Sequence, residues 1–420
     1  MDLLRNRRGF RLLALAYLSS ELGDWLLAVA LPYYIFRLTG SALASAATFF
    51  AIIAPQVVVG PLVGAFVDSS NRARRGLLVA ALGVGALCTG ALLVFLHTSL
   101  LIWVIYPILL IQGSALQVFM TARTTVLPQL IRPDEYLPAS SVISVVEQVA
   151  RLLGPPIGGL LLVAFGLSSV VSIDVASFLL SMGFVSLIRE SLDAADGSRG
   201  QSPTNGSGPK VFRQIRDGIV VMYSQAPLRM VGIVTVISAT IGGAMIGIIV
   251  PFATQNLRFS ARSTGLLLAC QAAGAICATP LIVRVARRIT PTTAFAVALL
   301  GSAVPLLVLS IVPSPAVAFA AIAAYGAVSV MTLIVARTVI LAEAKSEFLG
   351  RIVSGMTTLL TASLAMGALM VGLFAVTVGI SDVLRLGSIL AVVGSGFVLK
   401  FGHVWARRST EASAIFPTVN

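Results

Sequence analysis

Charge is what this sequence has least of. Only 11% of its 420 residues are Asp, Glu, Lys or Arg, where a water-soluble chain carries about 25%, so an ordinary globular protein is excluded. Acids are the scarcer sign, 16 against 29 basic residues, for a formal charge of +13. An excess of that size can mean nucleic acid or an anionic surface. Here the basic residues gather in short loops between apolar runs, the habit of inner-membrane proteins, and nucleic acid is not an expected partner. The three cysteines, Cys88, Cys270 and Cys277, lie inside apolar runs without metal-ligand spacing, which points to packing rather than a disulfide framework. The two histidines, His97 and His403, sit near span ends in no recognisable motif. The sequence contains no Walker loop, nucleophile elbow or His/Cys metal cluster. It is therefore not read as an enzyme, no metal or cofactor is expected, and drive from ATP would require a separate subunit.

What the chain has in abundance is apolar length: 57% of its residues are hydrophobic and mean hydropathy is +0.99. A spanning helix needs about 20 mostly apolar residues. Such runs fall at 10–36, 43–67, 77–97, 100–122, 138–164, 167–188, 229–254, 262–283, 291–311, 315–336, 351–378 and 382–404. They predict an all-α integral membrane protein with twelve transmembrane helices. The basic start before the first run resembles a signal peptide, but Glu21 and Asp24 interrupt its apolar stretch and many spans follow, so it is read as an uncleaved first span. With the N-terminus inside, only Arg37, Arg258, Arg262 and Arg385 fall on the outer side, which places both termini in the cytoplasm.

The stretch 191–210, rich in Gly, Ser, Pro, Asn and Asp, reads as a flexible linker. After it, Phe212, Ile215, Ile219 and Met222 share one helical face, predicting an amphipathic helix on the inner membrane surface. The division is thus 1–190 as an N-terminal six-helix bundle, 191–227 as a cytoplasmic linker with its amphipathic helix, and 228–420 as a C-terminal bundle with a short tail. The halves repeat each other. Leu31-Pro32 answers Val250-Pro251 at an offset of 251 − 32 = 219, and Ser41-Ala42 answers Ser260-Ala261. Ala122-Arg123-Thr124 and Glu135-Tyr136-Leu137 recur as Ala336-Arg337-Thr338 and Glu347-Phe348-Leu349. Six spans plus six in one orientation is a parallel repeat about an axis along the membrane normal.

Between the second and third runs, GPLVGAFVDSSNRARR (60–75) places Gly64, Asp68 and Arg72 in a G-x-x-x-D-x-x-x-R turn. Two six-helix halves, a polar central loop and this turn resemble the major facilitator superfamily over essentially the whole chain. Gly23-Asp24, Leu38-Thr39-Gly40-Ser41-Ala42, Leu127-Pro128 and Ile173-Asp174 are similar to its drug- and siderophore-exporting branch, which includes macrolide efflux proteins and the enterobactin exporter. The resemblance implies that Asp68 acts as a conformational latch at the start of span eleven, with Arg72 beside it and Arg123 and Arg351 as cationic partners. A carboxylate near a helix N-terminus is favoured on physical grounds too. Ser69 stands where the family usually has a third basic residue; the alternative is that the turn only sets topology. Gly154-Pro155-Pro156-Ile157-Gly158-Gly159 matches the core of the family's antiporter motif, although glycine-rich helix packing alone would leave the same trace. In span four, Gln112-Gly113 is preceded by Leu109 where an arginine is usual, a departure from the family's proton-coupling pattern.

An ionisable residue inside a span is costly and marks a candidate site. Glu21 and Asp24 share a face of span one, and either is a candidate for carrying a proton or pairing with a cationic substrate; the bland alternative is a helix–helix hydrogen bond. Glu147 and Arg151 in span five are spaced i, i+4 as a mutually neutralised pair or a coupling site. Asp174 is expected to be a buried structural hydrogen-bonder. Trp25, Tyr33, Gln112, Phe252 and Gln271 are candidate cavity residues for a bulky apolar substrate. The combined expectation is a monomeric transporter in the lipid bilayer of a bacterial inner membrane. It would export a bulky amphipathic small molecule, such as a drug, macrolide or siderophore, by antiport with the proton gradient as energy source. Import, lysophospholipid flipping and a non-transporting sensor or scaffold are the alternatives.

Overall fold

The computed structural model describes residues 7–69, 74–96, 98, 101–188, 208–286, 288–312, 314–344 and 348–415, and its regular elements are all helices. In chain order these are α1 (Arg8–Thr39), α2 (Ala42–Ser69), α3 (Arg74–Phe95), α4 (Leu101–Leu130), α5 (Tyr136–Phe165), α6 (Leu167–Ser186), α7 (Gly208–Ser224), α8 (Ala226–Gln255), α9 (Ala261–Ala286), α10 (Pro291–Ile311), α11 (Pro315–Glu343), α12 (Leu349–Val378) and α13 (Ile380–Ile415). All but α7 are long and apolar enough to cross a membrane, so the twelve predicted spans are all present. In hydrocarbon a helix satisfies every backbone donor and acceptor internally, which is why uninterrupted apolar runs become helices here. α4 and α11 continue past the predicted ends at 122 and 336, to Leu130 and Glu343. Hydropathy detects only the lipid-exposed length, whereas the hydrogen-bond ladder propagates into the polar segment beyond it. Short connections are built from local chemistry. Gly40 closes α1 at φ 66° with its N–H on the Phe36 carbonyl, a left-handed cap that favours glycine. Ser41 Oγ then accepts from the Ala44 N–H to start α2.

The chain divides into two compact units, Met1–Val211 with Ala253–Ala269, and Phe212–Phe252 with Cys270–Asn420. In the first, α1 packs on α5 and α6, α3 on α4 and α6, and α2 on α4. In the second, α10 packs on α11 and α13. Close approach depends on glycine. A Cβ on Gly113 of α4 would collide with the Ile52 carbonyl of α2, and one on Gly326 of α11 with the Gln271 carbonyl of α9. These two contacts are related by the sequence repeat, since 271 − 52 = 219 and 326 − 113 = 213. Each unit thus contains the same helix pair seated at the same point.

The amphipathic helix differs from its expectation. α7 docks on protein rather than only on a lipid surface: Met222 is buried in the core of the second unit. The backbone at Gly218 meets the Arg351 carbonyl, and Ile219 meets Gly355 of α12. Periodicity reports an apolar face but not what covers it. The side chains of Phe212 and Ile215 lie outside the described residues.

Candidate functional site

The site grows from one face of α1. Tyr17, Glu21 and Trp25 follow each other at steps of four residues, which stacks them on one side of a helix. Trp25 Nε1 donates to Glu21 Oε2 at 3.2 Å, and Tyr17 is an electrostatic neighbour of Glu21. Tyr17 O–H donates to Glu147 Oε1 of α5 at 2.8 Å. The same carboxylate oxygen lies 3.7 Å from Arg123 Nη2 of α4. The Arg123 guanidinium stands 3.6 Å over the Tyr17 ring, and the Arg151 guanidinium lies 5.3 Å over Trp25. Buried charge is tolerated only when paired or hydrogen-bonded, and this chain of contacts supplies the pairing. Tyr17 is 1% exposed.

A second cluster begins one residue before Trp25, turned about 100° around the helix. Asp24 has Gln112 of α4 and the Asp174 carboxylate of α6 as electrostatic neighbours. Asp174 is fully buried. Thr89 Oγ1 of α3 donates to its Oδ2 at 3.1 Å, and Ser177 Oγ donates to its Oδ1 at 3.4 Å. Gly23 makes this approach possible, because a Cβ there would strike the Ser177 hydroxyl and Asp174 Oδ1. Asp24 Oδ2 and Gln112 Oε1 are buried with no hydrogen-bond partner among the described residues. A cavity of about 10 Å³ adjoins Gln112 and Ser20 among apolar walls, room for about one water. Thr89→Val is expected to destabilise the purified protein by about 1–3 kcal/mol, the usual cost of orphaning a buried polar group. Denaturant unfolding checks this, and an unchanged midpoint would remove Thr89 from the support of Asp174.

The antiporter-like motif seats α5 against α1. A Cβ on Gly154 would meet the Trp25 Cβ, and one on Gly158 the Leu26 carbonyl. On the other side of α5, Gly159 faces the Ala261 carbonyl, while Gly265 of α9 faces the Pro155 carbonyl. The motif therefore fixes the stretch of α1 that carries Asp24 and Trp25.

Several candidates have described partners that the sequence reading did not name. Glu147, spaced for Arg151, holds contacts with Tyr17 and Arg123. Arg123, expected beside Asp68, has Glu147 and the Tyr17 ring as its described partners. Arg351 is exposed and lies 5.7 Å from the Phe348 ring. Gly64 and Asp68 lie on α2, but the Asp68 side chain and Arg72 fall outside the described residues. Among the cavity candidates, Trp25, Tyr33 and Gln112 belong to the first unit, while Phe252, 1% exposed, and Gln271 belong to the second. Tyr33 is half-buried. An apolar groove of about 400 Å³ between α2 and α4, lined by Ala54, Pro55, Leu110, Ile111 and Ser114, contains none of them. Sequence reasoning missed Tyr17. Its spacing four residues before Glu21 was the available signal.

Twelve spans with internal six-span repetition and ionisable side chains clustered inside one unit describe a multi-pass membrane protein. The family described as "Transmembrane secretion effector" matches residues 4–418. The chain belongs to that family of the major facilitator superfamily. It is 29% identical over 180 residues to an uncharacterised MFS-type transporter, YfiS, of Bacillus subtilis, covering 43% of this chain and 42% of YfiS. It is 30% identical over 199 residues to the multidrug efflux pump Tap of Mycolicibacterium fortuitum, covering 46% and 48%. Macrolide efflux protein A of Streptococcus pyogenes is 22% identical over 197 residues, 47% of each chain. The matched regions thus span less than half the length of each of these relatives. Among solved structures, the nucleoside transporter NupG superposes with TM-score 0.76 at 12% identity, covering 94% of this chain and 99% of NupG. A bacterial homologue of the human lysosomal transporter Spinster does so with TM-score 0.69 at 15% identity, covering 96% and 97%. The major facilitator fold expected from the sequence is the fold observed.

Proposed function

We propose that this protein exports a bulky, amphipathic organic compound of the drug, macrolide or siderophore kind in exchange for protons, by alternating access. The observation that carries the proposal is the Asp24 carboxyl group inside α1. Asp24 keeps one buried carboxylate oxygen without a partner among the described residues, near the buried acid Asp174. A carboxyl group in that setting exchanges a proton and a cationic substrate group for each other at one place. The efflux names of Tap and macrolide efflux protein A favour outward transport. In the cycle, Asp24 releases its proton inward and substrate binds beside Trp25 and Gln112. The six-helix halves, 1–190 and 228–420, then rock about the 191–227 connection, and the acid is reprotonated outside as substrate leaves. The protein works as a monomer in a bacterial inner membrane with both termini cytoplasmic, and the proton gradient is its energy source without a cofactor.

The test is expression in an efflux-deficient bacterium challenged with a panel of toxic amphipathic compounds, with and without a protonophore. Resistance that disappears with the protonophore is expected. Substrate-dependent accumulation in place of resistance would reverse the direction, and resistance indifferent to the protonophore would remove the coupling. The turn of Gly64, Asp68 and Arg72 serves as the latch in this reading. Its echo at Pro280 to Arg288 places Arg287 where Asp68 stands, so the acid belongs to one half. Asp68→Asn is expected to leave membrane insertion intact and slow transport by about tenfold, the worth of a contact biasing two states by about 1.4 kcal/mol. Normal transport by this variant, measured with insertion in the same cells, would return Asp68 to a purely topological role.

A further inference from the structure

The short helix α7 is held at the membrane boundary from two sides. It ends at Ser224, and the apolar helix α8 starts at Ala226, with the Arg229 N–H on the Gln225 carbonyl. Past its middle, the α7 backbone at Gly218 meets the Arg351 carbonyl in the first turn of α12, a second helix long and apolar enough to span. Two spans therefore begin where α7 lies, and α7 runs along the boundary rather than out into water. Gly218, Ile219 and Met222 make up its protein face. Ile219 packs on Gly355, and Met222 is buried in one core with Ile352 and Met356.

A different face of α7 is uncovered. Arg216, Val220 and Tyr223 follow each other at steps of four and three, which keeps them on one side of a helix, and all three are exposed. The Arg216 side chain is 72% exposed and meets the Asp217 carboxylate at 3.5 Å, an exposed pair of the kind that contributes little. Arg351 is exposed as well, so guanidinium groups from two helices border the seat of α7. The sequence adds Lys210 and Arg213 to the same helix. Arginine beside an aliphatic residue and a tyrosine is the pattern of a helix lying among lipid headgroups, where the cation meets phosphate and the apolar groups reach the acyl boundary. A free phosphate ion would match the arginines and leave Val220 and Tyr223 without a role.

We propose that the outer face of α7, together with Arg351 of α12, is a docking site for an anionic phospholipid. Arg216 and Arg351 hold the headgroup phosphate through charge-assisted hydrogen bonds, and Val220 and Tyr223 rest on the lipid below it. One helix thereby ties the start of α12 to the lipid surface, with protein on one face and phospholipid on another. The site goes beyond the transport reading and does not depend on which compound is carried.

The test uses the purified full-length protein with Cys88, Cys270 and Cys277 replaced by Ala and a bimane label on Val220→Cys. It is placed in phosphatidylcholine vesicles with a fixed fraction of spin-labelled lipid and a rising fraction of phosphatidylglycerol. Quenching at position 220 is expected to rise with phosphatidylglycerol. The fraction needed for half the effect should increase about fivefold with Arg216→Gln and again with Arg351→Gln, the worth of one basic residue at an anionic surface. The same label on Leu87→Cys, 75% exposed on α3, should be quenched equally in every vesicle. Quenching at 220 that ignores phosphatidylglycerol, or that keeps its dependence in the double arginine variant, would overturn the site. Absence of quenching at 220 in all vesicles would place this face in water or against protein and overturn it too. Reversal by inorganic phosphate would make the ligand a free anion and equally reject the lipid. If the labelled protein does not fold, native mass spectrometry of the unmutated chain decides. It should retain phosphatidylglycerol over phosphatidylcholine and retain less of it with Arg216→Gln and Arg351→Gln, whereas equal retention rejects the proposal.

Discussion

Asp24→Asn should lower gradient-driven transport by on the order of 10²-fold or more, the scale of losing a positioned proton-transfer group, while the protein still folds. Asparagine has nearly the same shape as aspartic acid and keeps an amide oxygen beside Gln112. What it lacks is a proton that can leave. A structural role would therefore survive the substitution, and a coupling role would not. The experiment places purified protein in liposomes loaded with a fluorescent lipophilic cation, imposes a pH gradient, and follows dye movement with and without the gradient. The variant should retain dye exchange without a gradient and lose the response to one, with a flattened pH dependence between. The same gradient response in wild type and variant would reject Asp24 as the carrier. Glu21→Gln is the informative control, because Glu21 is already bonded to Trp25, whereas Asp24 keeps a buried oxygen without a described partner.

Gly113→Leu and Gly326→Leu should each abolish stable folded protein, and Gly→Ala at either position should already destabilise by about 3 kcal/mol or more, at the upper end of overpacking. The added Cβ meets a backbone carbonyl, Ile52 in one unit and Gln271 in the other. A side chain could rotate aside; a helix backbone can yield only by moving the whole helix. Lipid tails provide no hydrophobic drive between helices, so close backbone packing supplies much of the association and its loss is not made up elsewhere. Gly83 and Gly90 of α3 are the controls, since a Cβ at either meets nothing within 4 Å. Alanine there should be neutral or slightly stabilising to the helix. Thermal unfolding in detergent, followed by size-exclusion recovery, separates the two classes. Equal tolerance at all four positions would show that the α2–α4 and α9–α11 contacts are looser than described.

By itself the sequence determined the number of spans, their approximate ends and the repeat between halves. These depend on a property each segment carries alone: enough apolar length to pay for burying a helix in lipid. It also singled out Glu21, Asp24, Glu147 and Arg151, because an ionisable residue inside such a segment stands out without any partner being known. Partnership was decided only by the tertiary structure. Helical periodicity names neighbours three or four residues apart on one helix, so it paired Glu147 with Arg151 and passed over Tyr17 and Arg123. Packing α1, α4 and α5 together brings Tyr17, Arg123 and Glu147 into contact across 130 residues of chain. The same limit explains α7, whose apolar face was legible while its seat against α12 was not. It also explains the motif in α5, where the glycines could be read but not the Trp25 and Leu26 backbone they admit. Composition and period are properties of a segment. Which buried charge faces which is a property of how segments cross, and that is set by the glycine contacts between helices.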